Sequence, residues 1–109
     1  MTTTDNGFRI VLCTTGSDEQ AESIARALVE RRLAACVNIV GGTCSVYRWK
    51  DEVVRDAEKL LVIKTTAATV ERVREAIHEL HSYDTPEVLS IAVSEGDPAY
   101  LDWIAKNVD

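Results

Sequence analysis

Ala35-Cys36-Val37-Asn38-Ile39-Val40-Gly41-Gly42-Thr43-Cys44-Ser45-Val46-Tyr47-Arg48-Trp49-Lys50-Asp51 is the stretch on which the fold turns. β-branched and aromatic residues flank a glycine pair, which is strand composition rather than helix composition. Gly41-Gly42 reads either as a bulge or bend within one long strand or as a loop between two short ones. Lys50-Asp51 marks a hairpin tip, and the return strand runs over 52–66. Mixed charges at Arg55, Asp56, Glu58 and Lys59 precede the apolar run Leu60-Leu61-Val62-Ile63. Charge toward the tip and apolar side chains toward the base imply an arm whose outer half projects beyond its own domain core.

Upstream of this arm, 8–14 is a short, β-branched apolar run and reads as a buried strand. Ser17 is an N-cap with Gln20 three residues on, and Asp18 and Glu19 put negative charge at the helix start. Ala21, Ile24, Ala25, Leu28 and Val29 recur at helical spacing, so this helix lays one stripe on a sheet and runs to about Arg32, where Arg31-Arg32 suits its C-terminal dipole. Downstream, Val70, Val73, Ile77 and Leu80 predict a second helix over 67–80. Pro86 excludes its continuation, and 87–93 reads as a fourth strand. Asp97 followed by Pro98 opens a last helix to about Asn107.

The order strand, helix, strand, strand, helix, strand is the split βαβ arrangement: an α+β, ferredoxin-like βαββαβ unit with an additional C-terminal helix. An antiparallel sheet carries both long helices on one face, and the other face is bare. Either the last helix or an oligomer must cover it, and the long arm favours the oligomer.

The chain has 109 residues and a formal charge of −6. That suits a single domain over 8–109 behind a flexible tail at 1–7. Its basic residues are scattered among acids, which argues against nucleic acid as a partner. Three cysteines, Cys13, Cys36 and Cys44, form no C-x-x-C pair and no even-numbered disulfide framework, so a reducing compartment is expected. No apolar run is long enough to span a membrane, which makes the cytoplasm the expected location.

Cys13 and His81 supply soft and borderline metal-ligand types if the fold unites them, with Asp84, Glu87, water or a neighbouring subunit to complete the set. Their other reading is a buried small hydrophobe and a helix-end residue. Lys64 ends an apolar strand and needs a partner such as Glu58, Asp84 or Glu87, unless it lines a cleft with Tyr83. Asn38 either satisfies a strand edge or donates to a ligand. The turn from Thr14 to Ser17 has free amides of the kind that hold anions. Tyr47 and Trp49 share one face of the arm, as a stacking platform or as anchors for a neighbouring subunit, and Trp103 is a further interface candidate. No G-x-S-x-G elbow or H-E-x-x-H helix is present, so no enzyme is expected.

Ala35-Cys36-Val37-Asn38-Ile39, Ser45-x-Tyr47-x-Trp49, Glu58-x-x-Leu61-x-x-Lys64-Thr65, His81-x-Tyr83-x-x-Pro86-Glu87 and Tyr100-x-x-Trp103, in this order, give the chain a resemblance to the CutA family of divalent-cation tolerance proteins. The resemblance covers about 10–108. It implies a ferredoxin-like subunit in a homotrimer whose hairpins join neighbouring sheets, with clefts at subunit boundaries. It also implies association with copper and other divalent cations, Cys13 and His81 being the residues that match the family's proposed ligands. Leu80 stands where some members carry a second histidine, and Asp51 where glycine is frequent at the tip. A trimer architecture similar to that of PII signalling proteins is implied as well. Its alternative reading is a regulatory or scaffold trimer that binds a small anionic ligand at Lys64 and the Thr14 to Ser17 turn, or an unidentified protein partner.

Overall fold

The arm is one continuous hairpin of two long strands. In the computed structural model, which describes residues 4–109, the elements are β1 (Phe8–Thr15), α1 (Asp18–Glu30), β2 (Cys36–Trp49), β3 (Glu52–Thr66), a 3₁₀ turn (Ala67–Thr69), α2 (Val70–Leu80), β4 (Leu89–Ala92) and α3 (Pro98–Asn107). Val40 pairs with Leu60 and Thr43 with Glu58, so Gly41 and Gly42 face Lys59 alone. The glycine pair is therefore a bulge within one strand, and Gly42 takes the positive φ of 73° that this kink requires. At the tip, Lys50 and Asp51 both have positive φ, 48° and 66°. That is the signature of the two-residue type I′ turn, whose twist matches the flanking strands.

The sheet order is β2-β3-β1-β4 with every pair antiparallel. Val11, Cys13, Leu61 and Ile63 point to the face covered by α1 and α2, where they meet Ile24, Leu28, Val73 and Ile77. All eight are fully buried, and each large aliphatic side chain among them contributes about 2 kcal/mol of burial free energy.

Ser17 caps α1 as expected, its hydroxyl accepting from the Gln20 amide at 3.1 Å. The Gln20 side chain does not return to Ser17. It donates to the Leu80 carbonyl at 3.1 Å and accepts from the Ser82 amide at 2.8 Å, clamping the end of α2 to the start of α1. Helix α1 stops at Glu30 rather than Arg32, because Arg32 enters the left-handed region at φ 59°. Leu33 N–H then bonds the Leu28 carbonyl at 2.9 Å and Arg32 N–H the Val29 carbonyl at 3.1 Å, a Schellman closure without glycine. β4 is four residues long, shorter than the expected 87–93. Its ladder to β1 ends at Leu12 and Leu89, and the Thr14 carbonyl beyond is taken by His81.

Of the expected tail, residues 1–3 lie outside the described residues. Asp5 accepts from the Gly7 amide at 2.8 Å and pairs with Arg9, and Asn6 Nδ2 donates to the Val93 carbonyl at 2.9 Å.

Helix α3 packs Leu101 and Ile104 against Phe8 and Ala35 at one end of the sheet. It leaves the rest of the second face open: Leu89 is 57% and Ile91 48% exposed. Across the ladder these two stand beside Leu12 and Ile10. Among the described residues no helix is long and apolar enough to cross a membrane.

Candidate functional site

Helix α2 ends at Leu80 because His81 adopts extended backbone, φ −79° and ψ 142°. The chain then crosses the end of the sheet and meets the base of the arm, and a cleft of about 890 Å³ opens between the two. Four carboxylates line it: Asp56 and Glu58 from β3, Asp84 and Glu87 from the crossing segment. Tyr47, Trp49 and Tyr83 supply aromatic wall, and Thr14, Ser45, Val46, Thr85 and Pro86 complete it. Among the described residues that line the cleft there is no lysine, arginine or histidine.

Glu58 is the central residue of this wall. It is only 8% exposed, yet none of the ion pairs among the described residues involves it. Its Oε2 accepts from the Tyr83 hydroxyl at 3.0 Å. Burial and this bond hold the Tyr83 phenol protonated, its pKa pushed up to about 12. Gly16 makes the contact sterically feasible, since a Cβ there would lie 3.0 Å from the Tyr83 hydroxyl oxygen. A second phenol repeats the pattern nearer the tip: Tyr47 donates to Asp56, which raises its pKa.

Cys13 and His81 are brought together, but behind this wall. The Cys13 thiol and His81 Nε2 lie 3.7 Å and 2.7 Å from the same acceptor, the Thr14 carbonyl oxygen. A carbonyl only accepts, so Nε2 carries the proton, and Nδ1 accepts from the Tyr83 amide at 3.0 Å. Both imidazole nitrogens are thus in use. Cys13 is fully buried, and burial, with smaller contributions from Glu87 and Glu58, pushes its pKa up to about 12. A metal ligand must be a thiolate and an imidazole with a free lone pair. As folded, the pair does not fit a resident metal ion, and among the described residues no three histidine, cysteine or carboxylate side chains converge to hold one.

Tyr83, Asp84 and Glu87 line this cleft, which lies within one chain. Tyr47 and Trp49, read as interface anchors, also line it. Lys64 and Asn38 do not. Lys64 Nζ contacts Asn38 Oδ1 and lies 3.8 Å from Cys36 Sγ, six residues down β3 from Glu58. The carboxylate partner expected for Lys64 is therefore replaced by a neutral amide. Trp103 stacks on Tyr100, centroids 5.7 Å apart, on exposed α3. Sequence alone does not single out Glu58 and Asp56 as cleft residues. Their spacing of two on one strand puts both on one face, but the bulge at Gly41-Gly42 decides which β2 side chains stand beside them.

Residues 9–107 match the family described as CutA1 divalent ion tolerance protein. The chain is 50% identical over 98 residues to the divalent-cation tolerance protein CutA of Thermus thermophilus, an alignment covering 90% of this chain and 95% of that protein. It is 43% identical over 88 residues to a CutA homolog of Xenopus laevis, covering 81% of this chain and 58% of that protein, so it spans less than two thirds of the longer relative. The crystal structure of CutA from Xylella fastidiosa superposes with a TM-score of 0.93 at 38% identity, covering 95% of this chain and all of that one, 100%.

Proposed function

The chain belongs to the CutA1 divalent ion tolerance family, and from that premise we propose that it is a binding protein rather than an enzyme, a cytoplasmic homotrimer that presents its acidic cleft to divalent cations, copper first among them. The observation that carries this reading is Glu58, a carboxylate 8% exposed on a cleft whose four acids enter none of the ion pairs among the described residues. A buried negative charge with no counter-charge is costly, and a captured cation offsets that cost.

The trimer is supported by the apolar face that α3 leaves open and by the arm, which extends past the core. A bare sheet face of this kind suits burial against copies of the same chain. Since one chain assembles no complete ligand set among its described residues, water or a neighbouring copy must finish the coordination. Cys13 and His81 join it only after Cys13 loses its proton and His81 gives up a bond. Anion binding is less well supported, because the charged groups lining the cleft among the described residues are all acids and Lys64 is held elsewhere by Asn38.

Calorimetric titration of the reduced protein with Cu(I) and Cu(II), with trimer mass checked by light scattering, tests this reading. Saturable binding at a fixed number per trimer, weakened in Glu58→Gln, is the expected result. Binding lost in Cys13→Ala and His81→Ala but intact in Glu58→Gln would move the cation to the pair behind the wall. No saturable binding would end the copper reading.

A further inference from the structure

Cys36 on β2 and Lys64 on β3 are direct partners in the antiparallel ladder. Paired residues of such a ladder carry their side chains on one face with Cβ atoms about 5 Å apart, so the register itself brings a thiol and a primary amine together. Lys64 Nζ lies 3.8 Å from Cys36 Sγ. Asn38, two residues along β2 and on the same face, takes Nζ on its side-chain oxygen and holds the long lysine chain toward β2. None of the ion pairs among the described residues involves Lys64, so no carboxylate in the same chain draws the amine away from the sulfur.

The other two cysteines have no such neighbour. Cys44 pairs with Ala57 and Cys13 with Leu61. Cys13 is also fully buried, whereas Cys36 is half-buried. The approach of Lys64 to Cys36 is made by the ladder within one chain and requires no pocket; only a reactant as small as peroxide has to reach the sulfur.

We propose that Cys36 and Lys64 form a peroxide-driven, thiol-reversible sulfenamide cross-link, independent of the cation reading of the cleft. In the first step the Cys36 sulfur attacks hydrogen peroxide: an S–O bond forms, the O–O bond breaks, the thiol becomes a sulfenic acid by a two-electron oxidation, and the peroxide is reduced, its second oxygen leaving as water. In the second, Lys64 Nζ, its ammonium proton passed to solvent, attacks that sulfur. The S–N bond forms, the S–O bond breaks, and the hydroxyl leaves with an amine proton as water. A thiolate reverses the link by attacking sulfur, which breaks S–N, releases the amine and leaves a mixed disulfide that a second thiol reduces. The link removes the charge of Lys64 and ties β2 to β3 covalently at the base of the arm.

The test treats the reduced full chain, in its native oligomeric state, with hydrogen peroxide and reads the digest by mass spectrometry. The expected product is the Cys36 peptide joined to the Lys64 peptide at their summed mass less two hydrogens. Tryptic cleavage after Lys64 is lost with it, and dithiothreitol restores both the separate peptides and the cleavage. Lys64→Arg keeps the charge and is expected to lose the link entirely. The product of the unsubstituted chain is read directly, so the test stands even where Lys64→Arg impairs folding. Cys36 oxidised without a link to Lys64, a link that retains a peroxide oxygen, or Cys36 left reduced while Cys44 is oxidised overturns the proposal.

Discussion

His81 Nε2 donates to the main-chain carbonyl of Thr14 across 2.7 Å, joining the end of α2 to β1 and fixing the imidazole as the Nε2-protonated tautomer. Its other nitrogen holds the Tyr83 amide, so one side chain sets where the cleft-forming segment leaves the helix. His81→Ala leaves both partners unpaired in a largely enclosed place. It is expected to cost about 1–3 kcal/mol in urea unfolding, whether or not metal is present. A loss seen only in the presence of copper would instead make His81 a ligand.

The three thiols differ in reach. Cys44 is exposed, Cys36 half-buried and Cys13 buried. A thiol reagent at neutral pH is expected to label Cys44 first, Cys36 next and Cys13 only on unfolding, read by mass spectrometry. Early labelling at Cys13 would contradict its burial.

Stability at high pH follows from the same burial. The Cys13 pKa is raised from an ordinary value near 9 to about 12, and that of Tyr83 from near 10 to about 12. Both folded states retain the proton more tightly than the unfolded chain. Their contribution is complete below about pH 9 and is lost as pH rises toward 12. Unfolding free energy is expected to fall through this window, less steeply in Cys13→Ala; an unchanged slope in that variant would assign the loss to other groups.

Gly16→Ala crowds the Tyr83 hydroxyl, which would lie 3.0 Å from the new Cβ. A destabilisation of about 1 kcal/mol is expected, and a smaller one in a Tyr83→Phe background, where the crowded oxygen is gone. Equal effects in both backgrounds would place the strain elsewhere.

At the arm tip, Asp51 holds φ 66° without being glycine. Asp51→Gly relieves that conformation and is expected to stabilise the chain by up to about 1 kcal/mol in thermal or urea unfolding. Destabilisation would mean that the aspartate side chain supports the turn.

Leu89→Asp and Ile91→Asp place charge on the open sheet face. Light scattering is expected to report a smaller species for both variants, since a desolvated carboxylate opposes burial of that face. Unchanged mass would put the interface elsewhere.

The βαββαβ order, the hairpin turning at Lys50-Asp51, the Ser17 and Asp97 caps and the buried stripe of α2 are local consequences of residue type, spacing and turn chemistry. All of these were legible in the sequence. What side chains meet across the chain was decided only by tertiary structure. The bulge at Gly41-Gly42 shifts the register that puts Glu58 opposite Thr43, and Gly16 admits Tyr83 to Glu58. The crossing after α2 uses up both nitrogens of His81, while the sheet face on which Cys13 falls buries its thiol. A residue's chemistry is written in its type, but its protonation, its partners and its access to a ligand depend on contacts tens of residues apart, which local spacing does not encode.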